Sequence, residues 1–175
     1  MRVFLDRLYA LAGGLAAFFI VLICLVVSAQ ILLNILARLG GPSLAYTIPS
    51  YADFAGFFLA AASFLGLAYT LRHGAHIRVN LVVQLLAPRP RLWLEVLTLV
   101  GGGVMSGYAT WFAASLLGQS WRFGDKSPGI IAIPLWVPQI FMVAGLGLLA
   151  LAFLDTALET WRKGAPVLVD EGGVE

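Results

Sequence analysis

Arg72-His73-Gly74-Ala75-His76-Ile77-Arg78-Val79-Asn80 holds both histidines of the chain and two of its eleven Lys/Arg, and long apolar runs flank it on either side. A basic, glycine-containing hinge between two hydrophobic runs has to lie at one face of a membrane, so this stretch marks where the chain turns. The composition around it agrees: 61% of the 175 residues are hydrophobic and 11% charged, with a mean hydropathy of +0.93. A soluble domain carries about 25% charged residues. A spanning helix needs about 20 mostly apolar residues, which gives an all-α membrane protein of four spans in a single domain over residues 1–163.

Upstream of the hinge, span one is expected over residues 8–36 and span two over 51–71. Gln30 and Asn34, one helical turn apart, share a face of span one; amides in hydrocarbon turn toward another helix, where a hydrogen bond gives about 0.6–2 kcal/mol. Arg38 continues that stripe to the membrane surface. Gly40-Gly41-Pro42 and Pro49 interrupt the helix, and Asp53 opens span two, where the macrodipole favours a carboxylate. Gly56, Ala60, Ala61, Ala62 and Gly66 offer a narrow flank for helix packing.

Downstream, Ile77, Leu81, Val82 and Leu85 recur at helical spacing, which predicts a short interfacial amphipathic helix over 76–87, stopped by Pro88 and Pro90. Span three is expected over 92–117, with Gly103 and Gly107 as a packing pair, and span four over 136–158. Trp93, Trp121, Trp136 and Trp161 then fall at span ends, as an aromatic belt requires. Residues 164–175 form a polar tail. The first run carries Arg2 and Arg7 ahead of Leu8 and ends near Val27-Ser28-Ala29, in the manner of a cleavable leader. It is longer than the ~7–15-residue apolar core of a signal peptide, so it is expected to be retained.

Orientation follows from the basic residues. One side receives Arg2, Arg7, Arg72, Arg78, Arg89, Arg91, Arg162 and Lys163, and the other only Arg38, Arg122 and Lys126. The positive-inside rule places both termini and the hinge in the cytoplasm.

The chemistry is notable for what is missing. No Asp, Glu, Lys, Arg or His falls at the middle of a span, where ion and proton pathways usually carry one. The net charge of +2 sits at span ends, unlike a nucleic-acid footprint, and the lone Cys24 allows neither an internal disulfide nor a cysteine metal cluster. His73 and His76 lie three apart in one short segment, whereas a haem between spans takes ligands from facing helices. Arg38, Arg72 and Arg78 read as snorkelling anchors, with anionic lipid headgroups or carboxylates of a partner subunit as the other reading. No nucleophile motif supports an enzyme.

Taken in order, the motifs resemble the small membrane subunit, the Q or DctQ-like component, of tripartite ATP-independent periplasmic (TRAP) transporters. Arg38 stands after span one, and Ser50-Tyr51-Ala52-Asp53 is similar to the family's aromatic-x-acid entry to span two, with Tyr51 and Asp53 where Trp and Glu are common. Arg72, Gly74, His76, Ile77 and Arg78 follow its Arg-x-Gly-x-His-Ile pattern between spans two and three. Ser127-Pro128 and Ile133-Pro134-Leu135-Trp136 resemble a second, weaker signature.

The resemblance implies a heterodimer with a large multi-span M subunit, which would carry substrate and Na+, and a periplasmic binding protein that delivers a small organic acid. This chain would then scaffold and anchor the M subunit, with no cofactor or metal of its own and with anionic lipid at Arg72 and Arg78. A Q–M fusion is not expected, since the sequence ends after four spans. The alternatives are a haem-bearing anchor subunit of a respiratory enzyme and a small membrane enzyme.

Overall fold

A computed structural model describes residues 2–41, 46–73 and 88–163. Four helices fill them: α1 (Arg2–Gly40), α2 (Tyr51–Arg72), α3 (Pro88–Phe123) and α4 (Trp136–Lys163). Each is long and apolar enough to cross a membrane, so the chain is an all-α, multi-pass membrane protein. The expected interfacial helix over 76–87, the 164–175 tail, and Gly74, His76, Ile77 and Arg78 lie outside the described residues.

Three of the helices clearly outrun their expected spans. α1 begins at Arg2 rather than near residue 8, α3 covers Pro88–Phe123 rather than 92–117, and α4 continues through Lys163. Hydropathy finds only the part that crosses hydrocarbon, whereas backbone hydrogen bonding carries the helix on into the headgroup layer, where charged side chains are welcome. Pro88 and Pro90 lie in the first turn of α3. In a first turn the missing proline N–H would have had no helical partner anyway. Gly41 and Gly124, with φ of 76° and 67°, close α1 and α3 in the left-handed conformation that glycine adopts without steric cost.

α1 packs on α2, α2 on α4, and α4 on α3, so the helices lie in the order α1, α2, α4, α3. This is a row rather than a ring. Contacts along it are built from small residues, because apolar side chains gain little over lipid and close packing must hold the helices together. Ala16 of α1 meets Ala62 and Leu65 of α2 in one cluster, with Phe19 and Phe141 packed against it. A Cβ on Gly145 of α4 would strike the backbone of Phe64 in α2, and one on Gly102 of α3 would strike the Phe153 ring of α4 at 2.8 Å. Gly103 also faces α4, but Gly107 faces open space, so the close pair on α3 is Gly102 and Gly103 rather than Gly103 and Gly107.

The aromatic belts prove to be pairs. Trp93 and Trp161 meet edge to face at 5.3 Å at the face bearing Arg2 and Lys163, here called the terminal face. Trp121 and Trp136 meet at 4.8 Å at the opposite, far face.

Candidate functional site

Arg72 ends α2 at the terminal face, and its guanidinium turns inward along the row. Nη1 donates to Thr156 Oγ1 at 3.2 Å and to Glu159 Oε2 at 3.3 Å, both on α4. Asp155 Oδ2 lies 3.6 Å from Nη1, and Asp6 Oδ1 of α1 lies 3.6 Å from Nη2. Glu159 in turn pairs with Arg2 at the start of α1 and, at 2.8 Å, with Lys163 one turn along α4. The Glu159 side chain is 6% exposed and that of Arg72 13%. Three cations thus face three carboxylates, and the cluster fastens α1, α2 and α4 at one level.

This placement corrects the reading of Arg72 as a solvated, snorkelling anchor. Its charge is taken up by carboxylates of its own chain, which leaves little of it to hold a lipid headgroup. Glu159 lies four residues after Asp155 and three after Thr156 on α4, so each of the two stands one turn before it, and that is what lets one guanidinium reach all three.

The far face is held by different means. Ser50 precedes α2 in the left-handed conformation, φ 55°, and makes no side-chain cap to that helix. Its Oγ instead accepts the Ile131 N–H at 2.9 Å, tying the start of α2 to the loop between α3 and α4. In that loop buried Ser127 donates to the Ile131 carbonyl at 3.2 Å and accepts the Ile133 N–H at 3.0 Å, inside an isolated bridge between Lys126 and Pro134. Gly129 lies so close to Asp53 and Ser50 that a Cβ there would collide with both side chains. Gln139 donates to Ser120 Oγ at 3.0 Å, closing the α3–α4 hairpin. The amide stripe on α1 also ends here. Gln30 is buried, donates to Asn34 Oδ1 at 3.0 Å and accepts the Ile48 N–H at 2.8 Å, so its partner is the following loop rather than another helix.

The motif residues therefore do not converge. Tyr51 and Asp53 sit in the first turn of α2, Pro134 and Trp136 in and after the far-face loop, and Arg38 is exposed in the last turn of α1. Arg72 is a whole helix away, about 33 Å along α2. Sequence reasoning missed Asp155 and Glu159 as partners, and Ser50, Ser127 and Gly129 as a unit. The spacing Asp155-x-x-x-Glu159 and the signature Ser127-Pro128 were visible, but nothing local says what they face. His73 stacks on Tyr69 at 3.9 Å, and its Nδ1 lies 2.9 Å from the Tyr69 carbonyl oxygen. Among the described residues no group of three His, Cys, Asp or Glu is placed to hold a metal.

Along each helix the Asp, Glu, Lys, Arg and His residues stay at the ends: none lies between Arg7 and Arg38, Asp53 and Arg72, Glu95 and Arg122, or Trp136 and Asp155. The two fastenings join helices to one another, and no Asp, Glu, Lys, Arg or His lies at the middle of a helix.

The sequence resembles known proteins in the same sense. The family model described as tripartite ATP-independent periplasmic transporters, DctQ component, matches residues 29–163. The C4-dicarboxylate TRAP transporter small permease protein DctQ of Rhodobacter capsulatus is 27% identical over 110 residues, which cover 63% of this chain and 48% of that relative. The chain thus spans about half the length of the relative it matches. No solved structure matches. With the match covering well over half of the chain, and with four membrane-spanning helices inside or overlapping it, this protein belongs to the DctQ component family of tripartite ATP-independent periplasmic transporters and is a transporter component rather than an enzyme.

Proposed function

We propose that the chain is the scaffold and anchor of such a transporter. It binds a large multi-span M subunit as a heterodimer, and that subunit carries the cargo and the coupling Na+. A periplasmic binding protein delivers the cargo, a small organic acid, and the C4-dicarboxylate named for the relative is the first candidate to try. Both termini lie in the cytoplasm of a bacterial cell with the chain in the inner membrane, in keeping with the eight-to-three bias of basic residues read from the sequence.

One observation carries this reading: ionisable residues are confined to the helix ends, where they fasten helices together, and none lies at mid-membrane, where a pathway for an acid or a cation would call for it. The row architecture supports it. A chain whose helices close no ring leaves broad apolar faces, such as Leu11, Phe18 and Leu25 on α1 and Leu97, Val104 and Trp111 on α3, for a larger membrane partner and for lipid.

The test is reconstitution in vesicles of this chain with a large permease and a periplasmic binding protein from the same organism. Uptake of labelled succinate, driven by an inward Na+ gradient, is expected with all three components and lost when this chain is omitted. Full uptake without the chain overturns the scaffold role. A Soret band in the purified chain would establish the haem-bearing anchor instead.

A further inference from the structure

The basic residues of the terminal face are not alike. Arg2, Arg72 and Lys163 are neutralised within the carboxylate cluster. Arg7 lies on the other side of α1, exposed, and makes no ion pair among the described residues. Below it runs a shallow, wide-open groove on the surface of α1, lined by Arg7, Ala10, Leu11, Gly14 and Leu15. These positions follow i, i+3, i+4, i+7 and i+8, so they form one stripe, away from the buried Tyr9, Ala12 and Ala16 that face the rest of the protein. Gly14 forms its floor, with nothing within 4 Å of where a Cβ would stand.

Depth gives the groove its meaning. Arg7 and Arg38 are 31 residues apart on one helix, about 46 Å along its axis, close to the ~40–45 Å of a bilayer with its headgroups. Arg7 therefore sits at headgroup level. Leu15 lies eight residues further, about 12 Å deeper and among acyl chains.

We infer that this stripe is a binding site for one anionic phospholipid of the terminal-face leaflet. The planar guanidinium of Arg7 takes the phosphate through paired N–H donors, which a choline headgroup would shield and neutralise. The glycerol and the first carbons of one acyl chain lie along Ala10, Leu11 and Leu15, with Gly14 making room for them. Charge complementarity selects lipid over a protein helix here, since the groove joins an unneutralised cation at headgroup depth to an apolar floor that runs toward the membrane centre. The site lies ahead of residue 29, outside the stretch matched by the family model.

Native mass spectrometry of the full-length chain in detergent, titrated with phosphatidylglycerol or phosphatidylcholine, tests it. The chain is expected to keep one phosphatidylglycerol in preference to phosphatidylcholine. Arg7→Ala lowers that adduct about fivefold, the effect of one basic residue at an anionic surface, and Arg7→Lys, which keeps the charge but loses the paired donors, falls between that variant and the native chain. Gly14→Leu fills the groove without changing charge and also lowers the adduct, with helical circular dichroism unchanged because the position is open. Arg38→Ala, at the other face, leaves it unchanged. The inference is overturned if phosphatidylcholine is held equally, if either Arg7→Ala or Gly14→Leu retains the full adduct, or if Arg38→Ala removes as much as Arg7→Ala.

Discussion

At the terminal face α2 is held by Arg72 among Asp6, Asp155 and Glu159, whereas at the far face it is held by Ser50, bonded to the Ile131 backbone, and by Gly129 pressed against Asp53. The first fastening is made of charges at 3.3–3.6 Å, distances at which a guanidinium can shift and still be attracted. The second is made of neutral hydrogen bonds at 2.8–3.2 Å and a contact too close for a methyl group. One end should thus tolerate small movements but not the loss of a partner. The other should tolerate a lost charge but not added volume.

The largest break in that comparison is Arg72→Met. Removing one member of a buried ion cluster costs about 3–5 kcal/mol, because the remaining charges stay desolvated, and the 13% exposure of Arg72 places this case near about 3 kcal/mol. Thermal unfolding of the purified chain should show the drop. The sharper measurement is the double variant Arg72→Met with Glu159→Leu, which is expected to be less damaging than the sum of the two single variants. Strict additivity would mean that the pair is not coupled and that the cluster is no fastening.

At the far face the matching variant is Gly129→Ala. Its methyl group would have to displace the Asp53 carboxylate and Ser50 Oγ, and overpacking of this kind costs about 1–3 kcal/mol. We expect about 2 kcal/mol of lost stability, with part of it recovered by combining Gly129→Ala with Asp53→Ala. Recovery shows that volume is the cause. No recovery would mean that the loop itself cannot accept a side chain, and the contact with α2 would lose its role.

These two fastenings differ in how far the sequence reveals them. The four spans and the belt tryptophans are legible because lipid imposes length and amphipathic anchoring on any chain that crosses it. Helix ends such as Arg2, Pro88 and Lys163 are not, since hydropathy falls at the headgroups while the backbone continues. The inward turn of Arg72 depends on α4, rather than α3, being the neighbour of α2, and Asp155 and Glu159 lie more than eighty residues away in sequence. Gly129 against Asp53 is hidden for the same reason. Gln30 was readable as a buried amide, yet its partner, the Ile48 N–H, belongs to a loop that periodicity does not describe, and Asn34 beside it stays exposed.

The smallest effect sharpens the account of the charged end. Lys163 approaches Glu159 to 2.8 Å, closer than any of the Arg72 contacts, and a ranking by distance would make it the strongest partner of the two. Energy follows burial instead. Lys163 is 56% exposed and lies one turn from Glu159 on the same helix, a geometry in which ion pairs contribute about 0.3–0.5 kcal/mol and are screened by salt. Lys163→Ala should therefore cost about 0.5 kcal/mol or less, and that cost should vanish at high ionic strength. The Arg72→Met deficit should persist there, because charges shielded from water are shielded from counterions too. If Lys163→Ala cost as much as Arg72→Met, Glu159 would be held chiefly from within α4, and the attachment of α1 and α2 at this face would have to come from the packing of Tyr9, Ala68 and Ala152 alone.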